Sequence, residues 1–225
     1  SIFNPTSTFS GVHTTDIAGA KKISITIETS MSALKLLIPA RGNSRLIQMD
    51  NMNGDGWTVK DATNLSLGTY EQLASGDVDY DQYGRIYTSV FDNFDSTGKI
   101  IRFNSIEEID SNFSVPLNGP VTGIAVDRVN NKVYFTYTDQ QGTQHLASVD
   151  YSGNNFTDYA YETNFVAYPT IKGIAVDESG WVHIARDTGG DTAGVVGYNP
   201  ADGSTRSADG IYSAEDVEVM NGYLY

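Results

Sequence analysis

Gly123-Ile124-Ala125-Val126-Asp127, followed by Lys132-Val133-Tyr134-Phe135 and Leu146-Ala147-Ser148-Val149-Asp150, forms three short apolar runs separated by turn residues. Fifty positions on, the set returns as Gly173-Ile174-Ala175-Val176-Asp177, Trp181-Val182-His183-Ile184 and Val195-Val196-Gly197-Tyr198-Asn199. Short or alternating apolar runs bounded by Gly, Asn and Asp read as strands. A unit of about four strands that recurs every 40–50 residues or so marks the blade of a β-propeller.

The template extends over the rest of the chain. A first unit has strands at Ile23 to Glu28, Leu34 to Pro39, Ser44 to Asp50 and Trp57 to Asp61. A second has Val78 to Asp81, Arg85 to Val90, Ile100 to Asn104 and Ser111 to Val115. The third runs through Gly123 to Asp127, Lys132 to Tyr137, Gln144 to Asp150 and Phe156 to Tyr161. The fourth has Gly173 to Asp177, Trp181 to Arg186, Val195 to Asn199 and Ser204 to Ser207.

Asp216-Val217-Glu218-Val219 and Asn221 to Tyr225 read as one more first and second strand. Ser1 to Pro5 resembles Gly197-Tyr198-Asn199-Pro200, the end of a third strand, and Phe9 to Thr14 would follow as the fourth. Pairing the two half-blades would remove two exposed sheet edges. The expectation is a single all-β domain over 1–225, a β-propeller of four-stranded antiparallel blades. Its five blades span about 22–61, 76–115, 121–161, 171–207 and 212–225 with 1–14. One interval disagrees: Tyr134 to Asp150 spans 16 residues, and Tyr225 has no such stretch before Ser1. Part of a six-bladed propeller is therefore the alternative.

Composition narrows the function classes. With 28 Asp and Glu against 14 Lys and Arg, the formal charge is -14, which argues against nucleic acid or an anionic membrane as partner. It suits a bound cation, or simple solubility. Zero Cys removes disulfides, thiolate metal sites and Cys nucleophiles. No run approaches the length of a transmembrane helix, and the chain starts at Ser1 without a basic-apolar leader. Few Lys beside many Ser, Thr, Asn and Tyr lean towards an extracytoplasmic setting: secreted, periplasmic or cell-surface.

Leu36 to Asp50, with its Ala40-Arg41-Gly42-Asn43-Ser44-Arg45 turn, resembles the second half of an NHL repeat. Gly173 to His183 resembles the first half, in a pattern shared with YWTD and gluconolactonase-like propellers. The resemblance covers nearly the whole chain and implies a β-propeller. Such motifs mark blades and leave the chemistry open, because members include ligand-binding scaffolds, lactonases and lyases.

First strands line a propeller's channel, so departures from the template there carry the functional question. The positions flanking the central Ile are Gly123 and Ala125, or Gly173 and Ala175, in the plain units. They become Asp77 and Asp79 in the second unit, Asp216 and Glu218 in the last, and Lys22 and Ser24 in the first. Period-two spacing puts each acidic pair on one strand face. Converging carboxylates either bind a hard cation such as Ca2+ or raise one another's pKa. The structural alternative is acids at strand ends in water, partly neutralised by Lys22 or by backbone amides.

Other candidates are weaker. Asn51, Asn53 and Asp55 open a calcium-loop pattern, but Ala62 stands where the closing Glu belongs, and the register makes this an Asp-Gly turn like Asp202-Gly203. Asp92, Asp95 and Asp191 lie on loops between second and third strands, as possible ligand contacts or ordinary turn residues. Asp81, Asp127 and Asp177 recur at one turn, which predicts a structural cap. His183 replaces a strand Tyr (Tyr87, Tyr134, Tyr225) and reads as a packing residue, while His145 shows no partner pattern. The clustered tyrosines would suit carbohydrate or peptide recognition where they reach a surface.

The favoured expectation is a non-catalytic binding or surface-assembly module with protein, peptide or carbohydrate ligands, and with a cation in the channel. The rivals are a metal-dependent hydrolase, lactonase or lyase using Asp77, Asp79, Asp216 and Glu218, and a fragment of a larger multidomain surface protein.

Overall fold

The computed structural model describes residues 36–40, 45–49, 56–60, 65, 67–73, 77–106, 108–159, 170–187, 194–209, 214, 216–220 and 223–225. Among these residues every regular element is a β-strand. The first sheet is β1 (Leu36–Ala40), β2 (Arg45–Met49) and β3 (Trp57–Lys60), antiparallel in that order. The second contains β4 (Glu71–Leu73), β5 (Asp79–Tyr80), β6 (Ile86–Asp92), β7 (Thr97–Ser105) and β8 (Glu108–Leu117). The third is β9 (Val121–Asp127), β10 (Lys132–Thr138), β11 (Gln144–Asp150) and β12 (Thr157–Asp158). The fourth is β13 (Thr170–Val176), β14 (Val182–Asp187), β15 (Gly194–Tyr198) and β16 (Thr205–Asp209). A last hairpin joins β17 (Val219–Met220) to β18 (Tyr223–Leu224).

Each sheet falls on one repeat of the sequence template. The one structural surprise is β4. The sequence reading starts the second unit near residue 76, whereas Glu71–Leu73 already pairs with Asp92–Val90 at the far end of β6. The first strand of this unit is thus in two pieces, β4 and β5, both laid against β6. A polar Glu-Gln pair interrupts the apolar pattern there, so periodicity alone does not reveal it. The expected first strand at Ile23 to Glu28 and the half-blade at 1–14 lie outside the described residues.

Successive sheets pack face to face. Tyr87, Ile100, Phe113 and Val115 of the second sheet share a core with Ile124, Val133, Phe135 and Val149 of the third. Tyr134 and Leu146 of the third share another with Ile174, Val182 and Ile184 of the fourth. Alternating strand residues reach opposite faces, so a middle sheet feeds both cores at once. Glycines permit the closest approaches. A side chain at Gly98 would strike the carbonyl of Gly119, and one at Gly119 would strike that of Thr138. The connection from β8 to β9 is thereby clamped between the two sheets.

The turn aspartates behave as the repeat predicts. Asp81 Oδ1 accepts the N–H groups of Tyr83 (2.9 Å) and Arg85 (3.0 Å), and Asp177 Oδ1 those of Ser179 (2.9 Å) and Trp181 (3.0 Å). Asp127 Oδ1 takes Val129 and Asn130 in the same way. For Asp81 and Asp177 the second oxygen is met by the strand that follows: Tyr87 Oη donates to Asp81 Oδ2 (3.0 Å), and His183 Nε2 lies 2.9 Å from Asp177 Oδ2, whereas Asp127 Oδ2 accepts Asn130 Nδ2 of its own turn. His183 is therefore a buried packing residue that does the work of Tyr87.

Asp81 is fully buried and also takes Arg85 Nε at 2.5 Å. Asp81→Ala strands these donors, and unfolding in denaturant should show a loss of about 3–5 kcal/mol. Asp150→Ala, which removes the carboxylate capping the more open turn after β11, should lose less, about 1–2 kcal/mol.

Candidate functional site

The first strands come together around one cavity. Its described lining includes Asp77 and Val78 with Asp79 of β5, Ile124, Ala125 and Val126 of β9, Arg128, Ile174 and Ala175 of β13, and Glu218 and Val219. Three of the four channel acids chosen from the sequence are there. The fourth, Asp216, stands next to it, with its Oδ1 against the Cα of Gly173. Lys22 lies outside the described residues.

The geometry gives Asp77 and Asp79 a definite job. β9 pairs with β10 on one side only, so its channel-facing amides have no strand partner. Asp77 Oδ2 accepts the N–H of Ile124 (2.9 Å), and Asp79 Oδ2 that of Val126 (2.8 Å). Two carboxylates two residues apart thus meet two amides two residues apart, across the junction between sheets. The other oxygens accept local amides, Val78 N–H at 3.0 Å and Tyr80 N–H at 2.7 Å. Arg128 Nη2 closes on Asp79 Oδ1 at 2.5 Å.

The equivalent positions one sheet on explain why they are small. A side chain at Gly123 would lie 3.2 Å from the backbone nitrogen of Ile174. There β9 and β13 approach directly, and no carboxylate fits between them. The channel therefore joins its sheets in two ways, by carboxylate-to-amide bonds from the second to the third and by bare backbone apposition from the third to the fourth.

Crowded carboxylates raise the cost of charge. Burial pushes Asp77 up to about 8; the Ile124 amide pulls the other way, while Asp216 and Asp79 add repulsion. Burial likewise raises Glu218, with Asp79 and Asp216 opposing its ionisation. Arg128 is the described cation that lines this cavity, and nothing in the repeat template marks it, because it sits on the turn after Asp127. Among the described residues no three of His, Asp and Glu are grouped as metal ligands.

The remaining sequence candidates scatter. Asp92 Oδ1 accepts the N–H groups of Phe94 (2.7 Å) and Asp95 (3.3 Å), so it caps the turn between β6 and β7 and does not line the cavity. Asp95 is exposed on that turn. Asn51, Asn53, Asp55 and Asp191 lie outside the described residues. His145 corrects the expectation that it lacks partners. Its Nδ1 lies 2.9 Å from Asp158 Oδ2 and its Nε2 3.3 Å from Asp139 Oδ2, and its ring stacks on Tyr137 at 4.6 Å. Both acids come from neighbouring strands and turns, so only the folded register reveals them.

No protein-family model matches the chain, and no curated protein sequence does either. Solved structures do. The chain is similar to one from a nidogen/laminin complex, at 13% identity and TM-score 0.58, over 81% of this chain and 65% of that one. It is similar to a luciferin-regenerating enzyme, at 13% identity and TM-score 0.56, over 86% and 64%. A calcium-binding regucalcin from Agrobacterium tumefaciens gives 14% identity and TM-score 0.52, over 84% and 65%. The fold is a β-propeller. The chain spans about 65% of the length of the propellers it matches.

The raised Asp77 predicts a pH dependence of known sign. Its folded value of about 8 lies above the ordinary carboxylate value of 3.8, so the folded state holds the proton between them. Stability should then fall as pH rises from roughly 4 to 8 and level off above that. Thermal melts across this range should show the slope in the native protein and a flatter one in Asp77→Asn. An equal slope in both would assign the effect elsewhere.

Proposed function

We propose that this propeller is a non-catalytic, extracytoplasmic binding or assembly module. The observation that carries the reading is the use of Asp77 and Asp79: both point their oxygens at the amides of Ile124 and Val126, as members of the scaffold. Acids that hold main-chain amides in the resting fold are poorly placed to ligate a reacting group. The cavity they border, about 60 Å³ as lined by the described residues, has room for a small ion or a few waters. A cation held in the channel fits this reading as a structural neutraliser of Asp216 and Glu218, whose charges oppose one another. The nidogen/laminin neighbour is a propeller seen in a protein complex, which supports a protein partner at the level of the fold.

The second reading, a metal-dependent hydrolase, lactonase or lyase, is favoured by one observation. Asp77, Asp79 and Glu218 border a single cavity with Asp216 beside it, and one of the group keeps its proton near neutrality. Here the metal would have to displace amide hydrogen bonds already formed.

The two readings part in one assay series. Purified protein should leave a panel of lactones, esters and phosphoesters unhydrolysed, with or without added Ca2+, Mg2+, Mn2+ or Zn2+. Calcium, if it binds as a structural ion, should raise the melting temperature in proportion to the logarithm of its concentration. Metal-dependent turnover that disappears in Asp79→Asn would overturn the binding-module reading.

A further inference from the structure

At the start of β4 and on the turn after β6, two large aromatic side chains stand in solvent on a stiff support. Tyr70 is 57% exposed and Phe94 73%, yet their rings stack with centroids 5.2 Å apart and planes 26° from parallel. The turns that carry them are bonded together. Asn93 donates to the Tyr70 carbonyl twice, from its backbone N–H (3.1 Å) and its side-chain amide (3.2 Å). Asp92 Oδ1 holds the Phe94 turn from within, and Gln72 Nε2 donates to Asn93 Oδ1 at 3.3 Å. Exposed rings held this firmly resemble the aromatic anchors at the centre of a protein interface.

The same chain shows what such rings accept. Arg85 lies between the rings of Tyr83 (5.0 Å) and Tyr151 (5.2 Å) while its Nε reaches Asp81. Arg206 lies 4.1 Å over Trp181 and bonds to Asp177 at 3.1 Å. Arg102 lies 4.7 Å over Phe113 and pairs with Asp110. Each is a guanidinium on an aromatic face with a carboxylate at its edge. Tyr70 and Phe94 repeat the ring and the carboxylate, with Asp92 under the turn and Asp95 exposed upon it. Among the described residues no Lys or Arg lies over either ring. Glu71, next to Tyr70 in the chain, is already paired with Lys99.

We propose that the Tyr70–Phe94 pair, with Asp95, is a docking point for an arginine-bearing segment of another polypeptide. The proposal rests on the binding-module reading and names its partner chemistry. The chain's charge of -14 draws a cationic segment in from a distance. A sugar is the poorer occupant, because the nearby amides of Asn93 and Gln72 are turned inward to brace the platform.

The test uses 15N-labelled protein titrated with the peptide Gly-Arg-Gly-Arg-Gly, its citrulline counterpart, and maltohexaose. The arginine peptide should shift the amides of Gly68, Asn93, Phe94 and Asp95 saturably, and citrulline should not. Affinity should fall about 3–5-fold in Phe94→Ala and in Asp95→Asn, and survive in Phe94→Tyr. Both positions are exposed, so these variants fold. The proposal is overturned by shifts scattered over the acidic surface and unchanged in Phe94→Ala, by no shift at millimolar peptide, or by maltohexaose moving these amides where the peptide does not. Enzymatic turnover in the substrate panel would instead sink the binding-module reading, whatever the peptide does.

Discussion

An innermost strand ends its sheet's ladder, and its channel-side amides must find partners that no further strand supplies. The propeller meets this demand locally, junction by junction. Between the second and third sheets, Asp77 and Asp79 reach across and accept Ile124 and Val126. Between the third and fourth, Gly123 has no side chain, and Ile174 comes to van der Waals distance of it. The residue pair flanking the central position thus sets how two sheets meet: acids bridge a gap, and small residues close it.

Bridging with carboxylates has an electrostatic consequence. Each added acid places another charge in a narrow space with little water, and the groups respond by holding protons. Asp79 is paired with Arg128, a cation from the turn of the neighbouring sheet. Asp77 has its amides, but burial, with repulsion from Asp216 and Asp79 added, leaves it protonated over a range where free aspartate is charged.

Much of this was legible in the sequence because the repeat makes deviations visible. Gly123-Ile124-Ala125-Val126-Asp127 and its copy at 173 define what a plain unit needs, and Asp77, Asp79, Asp216 and Glu218 are conspicuous against it. Period two also places each pair on one face. The turn role of Asp81, Asp127 and Asp177 follows from recurrence alone. What the sequence hides depends on the register between elements. Arg128 is one turn residue among several until β5 is set beside it. His145 meets Asp139 and Asp158 only because β10, β11 and β12 align them. Tyr70 and Phe94 are 24 positions apart, and their stack exists because β4 pairs with the end of β6, a pairing that an interrupted polar strand conceals.

Orientation separates a scaffold acid from a chemical one more sharply than proton affinity does. A carboxyl that keeps its proton near neutrality, in a cavity among other acids, has the profile commonly used to find catalytic groups. Asp77 meets that profile in full. Its elevation, however, arises mainly from burial at a sheet junction, and both its oxygens accept amides of the fold itself. A general acid needs its oxygen turned towards space that a substrate can enter. Glu218, also raised by burial, borders the same cavity from the hairpin that Tyr225 closes through paired backbone bonds of 3.0 and 3.1 Å. One environment has shifted both groups in the same direction, which fits a shared structural constraint. Acid and base roles divided between two carboxyls would require environments that drive them apart.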